Sequence, residues 1–149
     1  MLEYALILPA GSGKSFLASK YDFLIDIDSL HNEKFRKELQ QKYEDTLKTG
    51  NWEEYNKFEC NWVLPHLQKY PKNYILLLHC HEKAHILGLN ILGGFKPKYD
   101  IVKSVIVDRG KKRGDITLHN WKNITDVKIM DSHKCIEKEV LKIYKNISK

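Results

Sequence analysis

The residues best suited to chemistry lie near the start of the chain. Leu8-Pro9-Ala10-Gly11-Ser12-Gly13-Lys14-Ser15 joins a short apolar run to a segment with helical spacing. Glycines at 11 and 13 let backbone N–H groups turn inward around an anion. A helix N-terminus at the same point adds partial positive charge. Lys14 would neutralise the β- and γ-phosphates of ATP or another nucleoside triphosphate, and the Ser15 hydroxyl would bind Mg²⁺. Pro9, Ala10, Gly11, Ser12, Gly13, Lys14, Ser15 and Phe16 are therefore the candidate nucleotide-binding residues.

Two further groups carry compatible chemistry. Ile25-Asp26-Ile27-Asp28 closes a second apolar run, and strand alternation would put both carboxylates on one face. Asp28 is the candidate base or acceptor ligand, and Asp26 the candidate Mg²⁺-side residue. The plainer reading makes one a helix cap and leaves the other in solvent. Arg109 and Arg113 flank Gly110-Lys111-Lys112. Their planar forks suit phosphate oxygens, so they are expected to close on a transferring group and stabilise its charge. Otherwise this stretch is a solvated basic loop or a nucleic-acid contact.

A competing motif is His81-Glu82-Lys83-Ala84-His85. On a helix, His81 and His85 would share a face and could hold Zn²⁺, with Glu82 as base. Ile91 stands where a longer zinc motif has its third His, so Glu137 or Asp108 would have to complete the set. The simpler alternative is a helix whose histidines face solvent or a cleft.

The elements that must position these groups can be read from periodicity and punctuation. Strands are expected at Glu3 to Leu8, Phe23 to Ile27, Tyr74 to His79, Val102 to Asp108 and Asp126 to Met130. Helices are expected from Lys14 to Tyr21, from about Leu30 (capped by Ser29) to Thr49, and from Asn51 until Pro65 shortens it. Three more follow: His81 to Asn90, ended by Gly93-Gly94; Ile116 to Asn123, capped by Asp115; and a last one from Ser132 through Ile147. Arg109 to Gly114 reads as a loop. The alternation predicts one α/β domain over residues 1–149, a three-layer sandwich around a five-stranded, mostly parallel sheet.

With these pieces in order, the chain resembles the P-loop kinases. The loop is close to the GPAGSGKS of nucleoside monophosphate kinases such as cytidylate kinase, with Leu8 where the family has its first Gly. Asp26 and Asp28 look like the DxD that ends the second strand in shikimate- and gluconate-kinase-like enzymes. The resemblance implies a lid whose arginines, here Arg109 and Arg113, reach the transferring phosphate. It also implies that the region of Trp52, Tyr55, Phe58 and Trp62 covers an acceptor site, although core packing is the plainer role for these rings. His79 stands where the family's acidic Walker B residue ends the third strand, and Glu82 is the first carboxylate after it. The implied activity is transfer of the ATP γ-phosphoryl group, with Mg²⁺, to a nucleotide, nucleoside or other small acceptor. The rival readings are a polynucleotide 5′-end kinase or NTP-binding module of nucleic-acid metabolism, and a non-catalytic NTP-binding protein.

Composition narrows the setting. With 149 residues and 42% hydrophobic content, the chain suits one ordinary domain and not a disordered segment. No apolar run approaches the roughly 20 residues of a membrane helix, and the apolar start reads as a strand and not a leader. Three scattered cysteines fit neither a disulfide framework nor a cysteine zinc site, so a reducing, cytoplasmic setting is expected. A net charge of +6 suits anionic partners: nucleotides, phosphorylated metabolites or nucleic acid. The charge is carried by 22 Lys and only 3 Arg, beside nine Asn, a bias of the kind that AT-rich coding sequences, viral ones among them, impose.

Overall fold

The runs Ala5–Leu8 and Ile75–Leu78 contain no polar side chain, and both are wholly buried. A segment this apolar must be covered on both faces, which is the situation of a central strand in a parallel sheet. The computed structural model, which describes residues 1–149, builds its sheet around them. The strands are β1 (Tyr4–Ile7), β2 (Leu24–Asp26), β3 (Ile75–Leu78), β4 (Asn90–Pro97) and β5 (Lys128–Met130). They lie in the order β2-β3-β1-β4-β5, and every pair is parallel.

Strand alternation divides the core in two. Ala5, Ile7, Leu76 and Leu78 face one layer, where Cys60, Val63, Ala84 and Leu87 pack against them. Leu6, Leu8, Ile75 and Leu77 face the other, with Leu17, Ile136 and Val140. The first layer belongs to α3 (Trp52–Val63) and α4 (His81–Leu87), the second to α1 (Lys14–Lys20) and α6 (His133–Ile147). Helices α2 (Glu33–Thr49) and α5 (Tyr99–Asn123) complete the set of six. The fold is thus the expected three-layer α/β sandwich, with a sheet that is all parallel where a mostly parallel one was anticipated. It is compatible with a P-loop kinase-like architecture. No helix is long and apolar enough to cross a membrane.

Several boundaries differ from expectation, each for a local reason. The fourth strand is Asn90–Pro97, not Val102–Asp108. Gly93 and Gly94, expected to break a helix, lie within this strand and pair with Leu6 and Ile7. Val102–Asp108 is the first part of α5. Its β-branched residues suggested a strand, but Val102 and Ile106 repeat at helical spacing, and Val102 is the one buried. Arg109–Gly114 is accordingly helical and not a loop. The helix breaks at Gly110, whose φ of 78° and ψ of 176° suit glycine. A Cβ on Gly114 would lie 2.7 Å from the Ile106 carbonyl oxygen, so the two arms of the kinked helix meet closely there. Asp115 lies inside the second arm and caps nothing. Helix α4 ends at Leu87 with Gly88 in the left-handed conformation, short of Asn90.

Two caps also shift. Ser29 lies in a single 3₁₀ turn, Ile27–Leu30, where its hydroxyl donates to the Asp26 carbonyl. Asn32 caps α2 instead, its Oδ1 accepting from the Phe35 N–H at 2.7 Å. Gly50, Asn51 and Ser132 terminate and cap helices as their types dictate.

The junction of β4 with its neighbour strand supplies a test. A Cβ on Gly94 would lie 2.6 Å from Val127 Cγ1 and 3.3 Å from Ile7 Cβ. Gly94→Ala should cost about 1–3 kcal/mol of stability by urea denaturation, and Val127→Ala in the same chain should recover part of it. Unchanged stability in Gly94→Ala would show that this contact does not constrain the sheet.

Candidate functional site

In a parallel α/β sheet the carboxyl ends of adjacent strands form a crevice. Here β1 delivers Leu8–Gly13 to that edge, β2 delivers Asp26 and Asp28, and β3 delivers His79. The glycine loop is held from two sides. Its Ala10 N–H donates to Asn120 Oδ1 on α5 at 2.6 Å. Its Gly11 carbonyl accepts from His133 Nε2, at the start of α6, at 2.8 Å. Gly11 has φ +88°, and a Cβ there would lie 2.6 Å from Val102 Cγ2, so both conformation and space demand glycine. Ser12 is buried with an unpartnered hydroxyl.

Beside the loop lies a cavity of about 850 Å³ lined by Gly11, Gly13, Lys14, Ser15, Phe16 and Asp26, among others. Pro9 is buried and is not part of its lining, and Phe16, which is, is 58% exposed. Lys14 is buried, which lowers its pKa, although Asp28 and Asp26 pull the other way. Asp26 is also buried, and that burial together with Asp28 raises its pKa against the pull of Lys14. The two carboxylates do not share a strand face as expected. Asp26 ends β2 and Asp28 lies in the following 3₁₀ turn, its N–H donating to Asp26 Oδ1 at 3.1 Å.

A second cavity of about 400 Å³ opens on the other side of Asp28, against α2 and α3. Ala10, Asp28, His79, Arg109 and Arg113 line both cavities, so these residues form the junction. Arg109 ends the first arm of α5 and Arg113 lies in the second, so the Gly110 kink turns both toward the crevice. Arg109 Nη1 donates to Thr117 Oγ1 at 2.8 Å, and that hydroxyl donates to the Arg113 carbonyl at 2.8 Å. Among the four rings expected at this surface, Tyr55 lines the second cavity and Trp52 packs on Tyr43, Tyr55 and His119. Phe58 and Trp62 stack instead on Phe35, at 5.4 and 4.5 Å between centroids, and serve packing.

Behind the junction runs a buried polar chain. His79 Nε2 lies 3.2 Å from Asp28 Oδ2, and His79 Nδ1 lies 3.1 Å from Lys83 Nζ. Lys83 Nζ pairs with Glu59 Oε1 at 2.5 Å, and Glu59 Oε2 with His31 Nε2 at 2.8 Å. Burial works against the Lys83 ammonium, but Glu59 more than offsets it and holds its pKa above the ordinary value. Burial likewise works against the Glu59 carboxylate, but Lys83 and His31 hold it at about 2. An ammonium can only donate, so His79 Nδ1 accepts, and the ring proton sits on Nε2 facing Asp28. Burial lowers the His79 pKa, and the Lys83 and Lys14 charges push the same way against the pull of Asp28. The charge interaction and hydrogen bond with His79, with the Lys14 and Lys83 charges, outweigh the partial loss of hydration at Asp28 and hold its carboxyl well below the usual range.

Two sets of residues could hold a cation. Ser15 and Asp26 offer hard oxygen atoms to the larger cavity. Asp28, Glu59 and His79 bring three ligand atoms within 4.8 Å of one another, but the Lys83 ammonium contacts both Glu59 and His79 and supplies the positive charge there. The expected zinc alternative is not assembled. His81 is half-buried and His85 exposed on α4, outside that group. Glu82 accepts from Asn56 at 3.0 Å, Glu137 pairs with Lys20 at 2.8 Å, and Asp108 is exposed on α5. Glu59, Lys83, Asn120 and His133 were not singled out from the sequence. For Glu59 a signal existed: a charged residue on the apolar stripe of α3 demands a buried partner.

No family model matches this chain, and a search of curated proteins finds no match.

Breaking the buried pair should be costly. Lys83→Met leaves Glu59 uncompensated and should destabilise the fold by about 3–5 kcal/mol, with part recovered by adding Glu59→Gln, as read by urea denaturation. Glu59 falls from an ordinary 4.5 to about 2 on folding, so the native state binds fewer protons between those values. Its contribution is present above pH 4.5 and lost as pH falls toward 2. Glu59→Gln should flatten that part of the stability–pH curve. An unchanged slope would mean that Glu59 carries no such charge.

Proposed function

We propose that this protein is a small P-loop kinase that transfers the γ-phosphoryl group of ATP to a hydroxyl- or phosphate-bearing small acceptor, such as a nucleotide or nucleoside. The observation that carries the reading is the meeting of two cavities at Asp28, His79, Arg109 and Arg113, one of them walled by the glycine loop and Lys14. A two-substrate transfer needs such a junction, with donor and acceptor approaching from opposite sides.

In this reading the loop amides and the N-terminus of α1 cradle the β- and γ-phosphates. Lys14, a buried ammonium in need of an anion, pairs with them. Arg109 and Arg113 stabilise the charge that spreads over the transferring group. Asp28, kept ionised by its partners, orients the acceptor. The donor set fits Mg²⁺: Ser15 and Asp26 are oxygen ligands, and the raised pKa of Asp26 marks a buried carboxylate that a cation would stabilise as the anion. When bound, the ion would neutralise phosphate charge. Asp26, one strand over, offers the carboxylate that His79 does not.

Calorimetric titration with ATP and Mg²⁺, beside elemental analysis of the purified protein, tests this. The wild type should bind ATP in a Mg²⁺-dependent manner, and Lys14→Ala should weaken binding by about tenfold or more with the fold intact. Equal binding by Lys14→Ala, or no ATP binding with one zinc per chain, would overturn it.

A further inference from the structure

Arginine is rare in this chain, at three residues against 22 lysines. Yet Arg36, Arg109 and Arg113 all line the smaller cavity. Where lysine supplies nearly all the positive charge, arginine confined to one cavity points to a task for the planar fork, namely a bidentate grip on phosphate. Arg109 and Arg113 also border the larger cavity and face the junction from both sides. Arg36 borders only the smaller one, and its guanidinium reaches the Asp28 carbonyl at 3.4 Å. A third fork on the acceptor side exceeds what one transferring phosphoryl group requires.

Asp28 adds a second constraint. Its side chain is 50% exposed, it lines both cavities, and its Oδ2 lies 3.2 Å from His79 Nε2. A carboxylate at the point of attack repels an incoming phosphate oxygen, which has no proton to lose near neutral pH. It suits a neutral hydroxyl, whose proton must leave. The aromatic side chains of Tyr43, Tyr55 and His119 line the same cavity, an apolar contact suited to a planar group.

We infer that the acceptor is a sugar hydroxyl on a nucleotide unit that carries its own phosphate: the hydroxyl meets Asp28, the phosphate meets Arg36, and the base lies against the Tyr43, Tyr55 and His119 rings. This rests on the phosphotransfer reading and selects a hydroxyl over a phosphate as the attacking group. The hydroxyl oxygen bonds to the γ-phosphorus of ATP as the bond to the bridging oxygen breaks. ADP leaves with the electron pair, and the hydroxyl proton passes to the Asp28 carboxylate. The unit is either a free nucleoside phosphate or the hydroxyl end of a nucleic acid.

The test uses the full chain, Mg²⁺ and γ-labelled ATP, with four acceptor sets covering all four bases: nucleosides, nucleoside 3′-monophosphates, nucleoside 5′-monophosphates and 5′-hydroxyl oligonucleotides. Label should appear on a hydroxyl, giving a bisphosphate from a mononucleotide or a 5′-phosphate on the oligonucleotide. The ratio of these two arms separates the free from the polymeric source. Arg36 is exposed on α2, so Arg36→Ala should keep the fold while raising KM for phosphate-bearing acceptors about tenfold and erasing their advantage over plain nucleosides. Asp28→Asn should lower kcat on every hydroxyl acceptor. A diphosphate product, or equal use of nucleosides with no effect of Arg36→Ala, would overturn the inference. So would ATP that is bound and hydrolysed with no acceptor labelled, an outcome that leaves the phosphotransfer reading standing. Absence of ATP binding would remove both.

Discussion

One buried ammonium sets the state of everything around it. Lys83 sits between Glu59 and His79, almost out of reach of water, and the three cannot be exchanged singly without stranding a charge. Because the ammonium has only protons to offer, it decides which nitrogen of His79 is protonated. That in turn decides what Asp28 receives. The chain of consequence runs from α3 through α4 to the end of β3 and across to the turn after β2, so the packing of one layer of the sandwich governs the electrostatics of the crevice edge. The layer is apolar almost everywhere else, and the polar chain passes through it as an inclusion.

The second organising feature is the placement of cations on either side of Asp28. Lys14 borders the larger cavity, Arg36 and Lys83 the smaller, and Arg109 and Arg113 both. A carboxylate surrounded in this way stays charged even when partly shielded from water. Asp26, only two residues away, has the opposite fate: it is deeper, faces a second carboxylate, and is pushed toward the neutral acid. The pKa values of two carboxyl groups from one short stretch thus move in opposite directions, Asp28 down through His79 and the cations around it and Asp26 up through burial beside a second carboxylate.

Much of this was legible in the sequence. Strand β3 announced itself as an uninterrupted apolar run, and the glycine loop as a strand–turn–helix transition. The caps at Asn51 and Ser132 followed from side-chain chemistry, and the stop at Gly50 from glycine's access to the left-handed conformation. The region after His85 was misread because two local signals conflicted with tertiary demand. Gly93-Gly94 looks like punctuation, yet Gly94 is small because Val127 and Ile7 leave no room for a side chain. Val102–Asp108 looks like a strand because β-branched residues favour one, yet its helical stripe is what meets Gly11. The polar chain was hidden for a different reason. Glu59 and Lys83 lie far apart in sequence, and a charged residue in a helix is normally a solvated one. Only the pairing of α3 with α4 makes these two inward-facing.

The clamps on the glycine loop have a consequence for how the molecule is made. The loop belongs to the first fifteen residues of the chain, whereas Asn120 and His133, which hold it, lie 110 and 122 positions downstream of their partners. During synthesis the loop leaves the ribosome early and waits for both. Contacts of such long sequence separation form late and slowly. The loop therefore takes this shape only once α5 and α6 have been made, and a chain cut short before α6 would carry the motif without the geometry.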